Sequence, residues 1–137
     1  MSGPARTSGA TRVGLRWAIV LVDLEPVQGH VQGGTRRVLV ISYEPFHRSG
    51  LMTVCPISAA RQTARYPGDV PIVAGDAGQT KAGVILCGQP RTVSTVRVRG
   101  RILGIVRDPA TRTAVRKALT HHLGLDIPAR LDGALAE

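Results

Sequence analysis

AIVLVDLEPVQGHVQGGTRRVLVIS, residues 18–42, decides how this chain folds. It opens with AIVLVDL, a β-branched apolar run that reads as a buried strand ending near Leu24. EPVQGHVQGGT, residues 25–35, follows with one proline, three glycines and two glutamines. That segment is too polar and too glycine-rich to pack, so it reads as a long mobile loop. In small domains such loops are often where function resides. RVLVIS, residues 37–42, then reads as a second strand.

Downstream the same alternation continues. YEPFHRSG is a short helical turn closing at Gly50, and MTVCPIS, residues 52–58, is a third strand. Proline has no amide to give a ladder, so Pro56 belongs at a sheet edge or a bulge. The basic loop AARQTARYPG precedes a short edge strand, DVPIVA, and a turn region, AGDAGQTKAG. VILC, residues 84–87, is a further buried strand that Pro90 should stop or bend, and RILGIV, residues 101–106, is the last. Asp108 and Pro109 suit the N-cap and first position of a helix over about 109–123, which Gly124 ends. Ala114, Val115, Ala118 and Leu119 share one face of it. Short strands, tight turns and one closing helix predict a mainly β fold, a small barrel with a C-terminal helix. One domain, residues 16–125, lies between a disordered basic tail, 1–15, and a loosely held tail, 126–137.

The chain has 137 residues and a formal net charge of +9, with 18 basic residues against 9 acidic ones. Lys81 and Lys117 are the only lysines. Between Asp76 and Asp108 no acidic residue occurs, while Lys81, Arg91, Arg97, Arg99, Arg101 and Arg107 do. An arginine-weighted excess favours phosphate, because the guanidinium fork matches two phosphate oxygens at once. Cys55 and Cys87 sit in apolar runs without metal-ligand spacing, as buried free thiols of a reducing compartment do. No signal peptide and no apolar run of membrane-spanning length is seen, which predicts a soluble cytoplasmic protein without a metal or cofactor.

VDLEP, GHVQGGTRRVLVIS, TVCPIS, ILCGQPRT and HHLGL occur in this order. Together, from Arg16 to Leu125, they resemble the MazF/PemK toxin family, and the GH…QGGTR and C-x-QPRT details are most similar to its Kid/PemK branch. The resemblance implies an SH3-like or CcdB-like barrel forming a homodimer. It implies sequence-specific, metal-independent cleavage of single-stranded RNA, and an acidic antitoxin (MazE/PemI-like) lying across the dimer groove. Two other readings share the barrel: a CcdB-like gyrase-binding toxin, and an RNA-binding relative that does not cleave.

Metal-free RNA cleavage uses the neighbouring 2′-hydroxyl as nucleophile. The protein must steady the phosphorane oxygens and move protons to and from the reacting oxygens. Arg36, after Gly33-Gly34-Thr35, stands where the family has its active-site arginine, and Ser58 where it commonly has threonine. His30, in the loop, matches a branch histidine that could carry a proton. Gln32, Arg37, Gln89 and Arg91 are candidates for RNA binding through base edges, phosphate or stacking. There are departures. Gly88 stands where an acidic residue is usual, Leu86 where the branch has arginine, Val31 for glutamate and Arg37 for proline. In the first strand Trp17 and Val20 replace a usual glycine and aromatic.

Overall fold

The computed structural model describes residues 14–24, 34–131 and 133. The loop over 25–33, with His30 and Gln32, lies outside the described residues, as do residues 1–13 of the expected N-terminal tail and residues 132 and 134–137 of the C-terminal one.

Seven strands form the sheet: β1 (Ala18–Leu24), β2 (Gly34–Val40), β3 (Leu51–Ser58), β4 (Asp69–Ile72), β5 (Gly83–Leu86), β6 (Arg91–Ser94) and β7 (Val98–Ile105). Their order is β4-β5-β3-β2-β1-β7, with β6 also on β3, and every pairing is antiparallel. The sheet is curled rather than hydrogen-bonded into a closed ring. One α-helix among the described residues, α1 (Pro109–His122), closes the fold as the sequence predicts. Its N-cap is Asp108, which accepts from the Ala110 amide at 3.1 Å and from the Thr111 hydroxyl at 3.1 Å.

Strand alternation divides the apolar residues between two cores. Val20, Val22, Val38, Val40, Met52, Val54 and Val93 fill the inside of the curl. On the other face Ile19, Leu39, Cys55, Ile57 and Ile85 pack with Val115 and Ala118 of α1.

Four expectations change. RTVS, residues 91–94, left without a strand in the sequence reading, is β6, and β7 begins at Val98 rather than Arg101. Gly14 and Leu15, expected in the tail, are anchored: Glu44 accepts from the Leu15 amide at 2.9 Å and the Arg16 amide at 3.0 Å. Pro56 is not at the sheet edge but buried in β3, opposite Val38. The backbone of Thr53 faces β2, since the Ile41 amide donates to its carbonyl. By alternation Pro56 faces the other way, between the β6 ladder, which ends at Val54–Arg91, and the β5 ladder, which begins at Ile57–Ile85. The missing amide therefore falls where β3 changes partner.

Trp17 precedes β1 with φ of 72°, a left-handed conformation that favours glycine. Hydrogen bonds fix it from both sides, its amide to the Val40 carbonyl and its carbonyl from the Val106 amide, each 2.8 Å.

Candidate active site

The paired end of β2 and β3 builds the site. Their register is Val38–Pro56, Leu39–Cys55 and Val40–Val54. Continued two residues past the ladder's end, it brings Arg36 level with Ser58. Directly opposed residues of an antiparallel pair point to the same side, so guanidinium and hydroxyl share the face that holds Val38 and Val54. Arg91, paired with Val54 in the β3–β6 ladder, joins the same face. Val38, Val40, Met52 and Val54 farther along this face are fully buried, which gives these polar ends a rigid base. Arg36 itself is exposed.

Arg37 is turned to the opposite face by the same alternation, and the structure does not bring it together with Arg36. Its Nη1 donates to Gln79 Oε1 at 2.7 Å. Gln79 is buried, and its Nε2 donates in turn to the Ala77 carbonyl at 3.1 Å. Arg37 thus ties β2 to the turn Asp76–Gly78.

Beyond Ser58 the loop over 59–68 is shaped by one carboxylate. Asp69 Oδ2 accepts from Arg61 Nη1 at 2.7 Å, from the Arg65 amide at 2.9 Å and from the Tyr66 amide at 3.2 Å. Arg61 also stacks 5.5 Å from the Tyr66 ring centroid. Arg61, Tyr66, Gly68, Leu86, Gly88 and Gln89 line a cleft of about 230 Å³. Gln89 is thereby placed beside an exposed aromatic that the sequence reading passed over. A tyrosine amid arginines in a polar loop was the signal that could have found it. Leu86 pairs directly with Asp69 across β4–β5, so an arginine at 86 would meet the carboxylate that Arg61 reaches here from the loop.

Asp23, near the end of β1, is held by two arginines. Arg97 Nη1 donates to the Asp23 carbonyl at 3.1 Å, and Arg99 Nη2 lies 3.4 Å from Asp23 Oδ2. Cys55 and Cys87 are buried and free. Contact with Cys87, together with burial, pushes the Cys55 thiol far above its ordinary value, so it stays protonated. Among the described residues no three His, Cys, Asp or Glu side chains group to hold a metal ion, and no helix is long and apolar enough to cross a membrane.

In fold the chain is of the MazF type. MazF from Deinococcus radiodurans matches with a TM-score of 0.66 and 28% identity, over 80% of this chain and 94% of that one. A MazE–MazF crystal structure from the same organism gives 0.59 and 29%, over 79% and 93%. Endoribonuclease PemK of Escherichia coli is 38% identical over 62% of this chain, but only 63% of that protein's length is spanned. Endoribonuclease EndoA of Bacillus subtilis is 39% identical over 64% of this chain and 76% of its own length. The family described as PemK-like, MazF-like toxin of type II toxin-antitoxin system matches residues 15–123, and the chain belongs to it.

Proposed function

We propose that this chain is a toxin endoribonuclease that cleaves single-stranded RNA at short motifs, without a metal ion, by attack of the adjacent 2′-hydroxyl. The observation that supports it is the β2–β3 register, with Val38 opposite Pro56, from which strand alternation assigns Arg36 and Ser58, each two residues farther along, to the same face. A guanidinium can hold both non-bridging oxygens of a scissile phosphate as negative charge grows on them. The Ser58 hydroxyl donates to a phosphate oxygen or orients the 2′-OH. Arg91 neutralises a neighbouring phosphate, and Gln89 with Tyr66 offers a base edge and a ring to a flanking nucleotide. His30 is the proton carrier of this scheme and Gln32 a base reader.

The working protein is a homodimer of the cytoplasm, inhibited by an acidic antitoxin. The relatives named endoribonuclease support the cleavage, and the MazE–MazF structure supports an antitoxin partner. The test is cleavage of a single-stranded RNA in EDTA, followed by analysis of the ends. Products ending in 2′,3′-cyclic phosphate are expected, with kcat/KM falling roughly 10²–10³-fold in Arg36→Ala, the usual loss when one oxyanion contact is removed. A requirement for divalent ions, or undiminished cleavage by Arg36→Ala, refutes the mechanism. Binding of RNA with no cleavage of any sequence makes the chain a non-catalytic RNA binder instead.

A further inference from the structure

A second cationic site stands away from Arg36, around the chain's single tryptophan. Three guanidinium groups converge on the Trp17 ring: Arg112 at 5.0 Å from its centroid, Arg16 at 5.4 Å and Arg116 at 5.7 Å. Arg16 also lies 5.9 Å from the centroid of Tyr43.

Such convergence is unfavourable on its own. Arg112 and Arg116 are one turn apart on α1, the spacing at which like charges destabilise a helix. Arg112 ends the helix's first turn, where the dipole disfavours a cation. The ion pairs recorded among the described residues are His47–Glu44, Arg61–Asp69 and Arg99–Asp23, and none of them involves the three arginines. Glu44 is near, but it accepts from the Leu15 and Arg16 backbone amides. Arg112 Nε donates to the Val106 carbonyl at 2.7 Å, and Arg16 Nε to the Ile41 carbonyl at 3.4 Å. Arg16 and Arg112 are half-buried, and Arg116 is exposed. The indole that gathers them is itself held at a backbone angle unsuited to it.

We propose that Arg16, Arg112 and Arg116, seated on Trp17, form a docking site for an acidic, partly apolar peptide segment. Guanidiniums stacked on a ring keep their N–H edges in plane, the geometry that grips a carboxylate through two hydrogen bonds. Tyr43, 68% exposed, stands next to Arg16 and offers apolar contact between acidic residues. A nucleic acid suits this place less well. Trp17 is only 5% exposed and already capped by guanidiniums, so it has no face for a base. The site also lies on the sheet face opposite that of Arg36. β1 carries the chain roughly 16 Å from Trp17 to Val22, the partner of Arg36, at an ordinary strand rise. The peptide's origin in the antitoxin rests on the function proposed above; its chemistry does not.

Because Trp17 is the sole indole, its fluorescence reports binding directly. The full chain is titrated with a tryptophan-free synthetic peptide rich in glutamate and leucine, and separately with a single-stranded all-deoxy oligonucleotide. A saturable change is expected with the peptide, kept in Arg36→Ala, and lost when its glutamates are replaced by glutamine. The Arg112→Gln/Arg116→Gln double variant should weaken binding at least tenfold. Arg116→Gln alone, at an exposed position, should weaken it measurably with an unchanged melting temperature. A peptide response absent, or equal in both variants, overturns the proposal; so does an oligonucleotide that produces the same change or displaces the peptide. The probe contains no antitoxin sequence and the readout no cleavage, so failure here and failure of the nuclease reading are told apart.

Discussion

Gly88 stands in open space: a Cβ built there would meet nothing within 4 Å. The resemblance places an acidic group at this position, beside Gln89 and one cleft away from Tyr66. If cleavage here is slow for want of a proton acceptor, Gly88→Asp should leave the melting temperature unchanged and raise the single-turnover rate by roughly tenfold or more, since a positioned general base commonly contributes 10²–10⁴-fold. An unchanged rate in a folded variant would mean that another group already takes the proton. Cys55 gives a second expectation. Fully buried and held protonated, it should react with a disulfide reagent far more slowly in the native protein than in denaturant; equal rates would contradict its burial. Arg36 and Ser58 were singled out by the family resemblance, since neither a strand-edge arginine nor a strand-ending serine stands out by its own surroundings. The partner of Arg37 was not legible in the sequence. Its contact with Gln79 spans 42 positions and depends on strand register and on which face each residue takes.

Glu44 and Asp108 each hold an element in place, and their loss should be felt as stability rather than activity. Burial works to raise the Glu44 carboxyl, but hydrogen bonds from the Arg16 and Leu15 amides, with His47 beside it, outweigh that and leave it below its ordinary 4.5. A carboxylate with a depressed folded-state pKa stabilises the fold above its ordinary pKa, and that contribution disappears as pH falls through the lower folded value. Glu44→Gln should therefore lower the melting temperature at neutral pH, with the gap to wild type closing as pH falls below the carboxyl's ordinary 4.5. A gap independent of pH would show that charge at Glu44 is irrelevant. Asp108→Ala removes the α1 cap and should cost about 1 kcal/mol in denaturant unfolding. At this scale the helix was readable from its cap and its period, and β1–β3 from their apolar runs. β6 was not, because RTVS is four residues long and only Val93 of it is buried. Its strand character comes from lying against β3, with the Thr92 and Thr53 hydroxyls 2.9 Å apart, a contact no local window contains.

Over the whole molecule, a charge of +9 is distributed so that the two faces of one sheet present different cationic surfaces. Inside the curl's mouth Arg36 and Arg91 share a face with Ser58; across the sheet the arginines of α1 gather on Trp17. The same sign of charge can then serve two partners, provided that geometry and not net charge sets affinity. Salt dependence tests this. Each phosphate neutralised on a single strand releases condensed counterions and adds about −0.7 to the slope of log K against log salt concentration. A site engaging about three phosphates should give a slope near −2, a loss of roughly 20-fold in affinity between 50 and 200 mM salt. Arg36→Ala should make that slope shallower by about 0.7, whereas Arg112→Gln/Arg116→Gln should leave it unchanged. If both variants flatten the slope equally, RNA is held by diffuse charge rather than by the Arg36 face. The binding measurement uses an uncleavable deoxy strand in order to separate this result from catalysis.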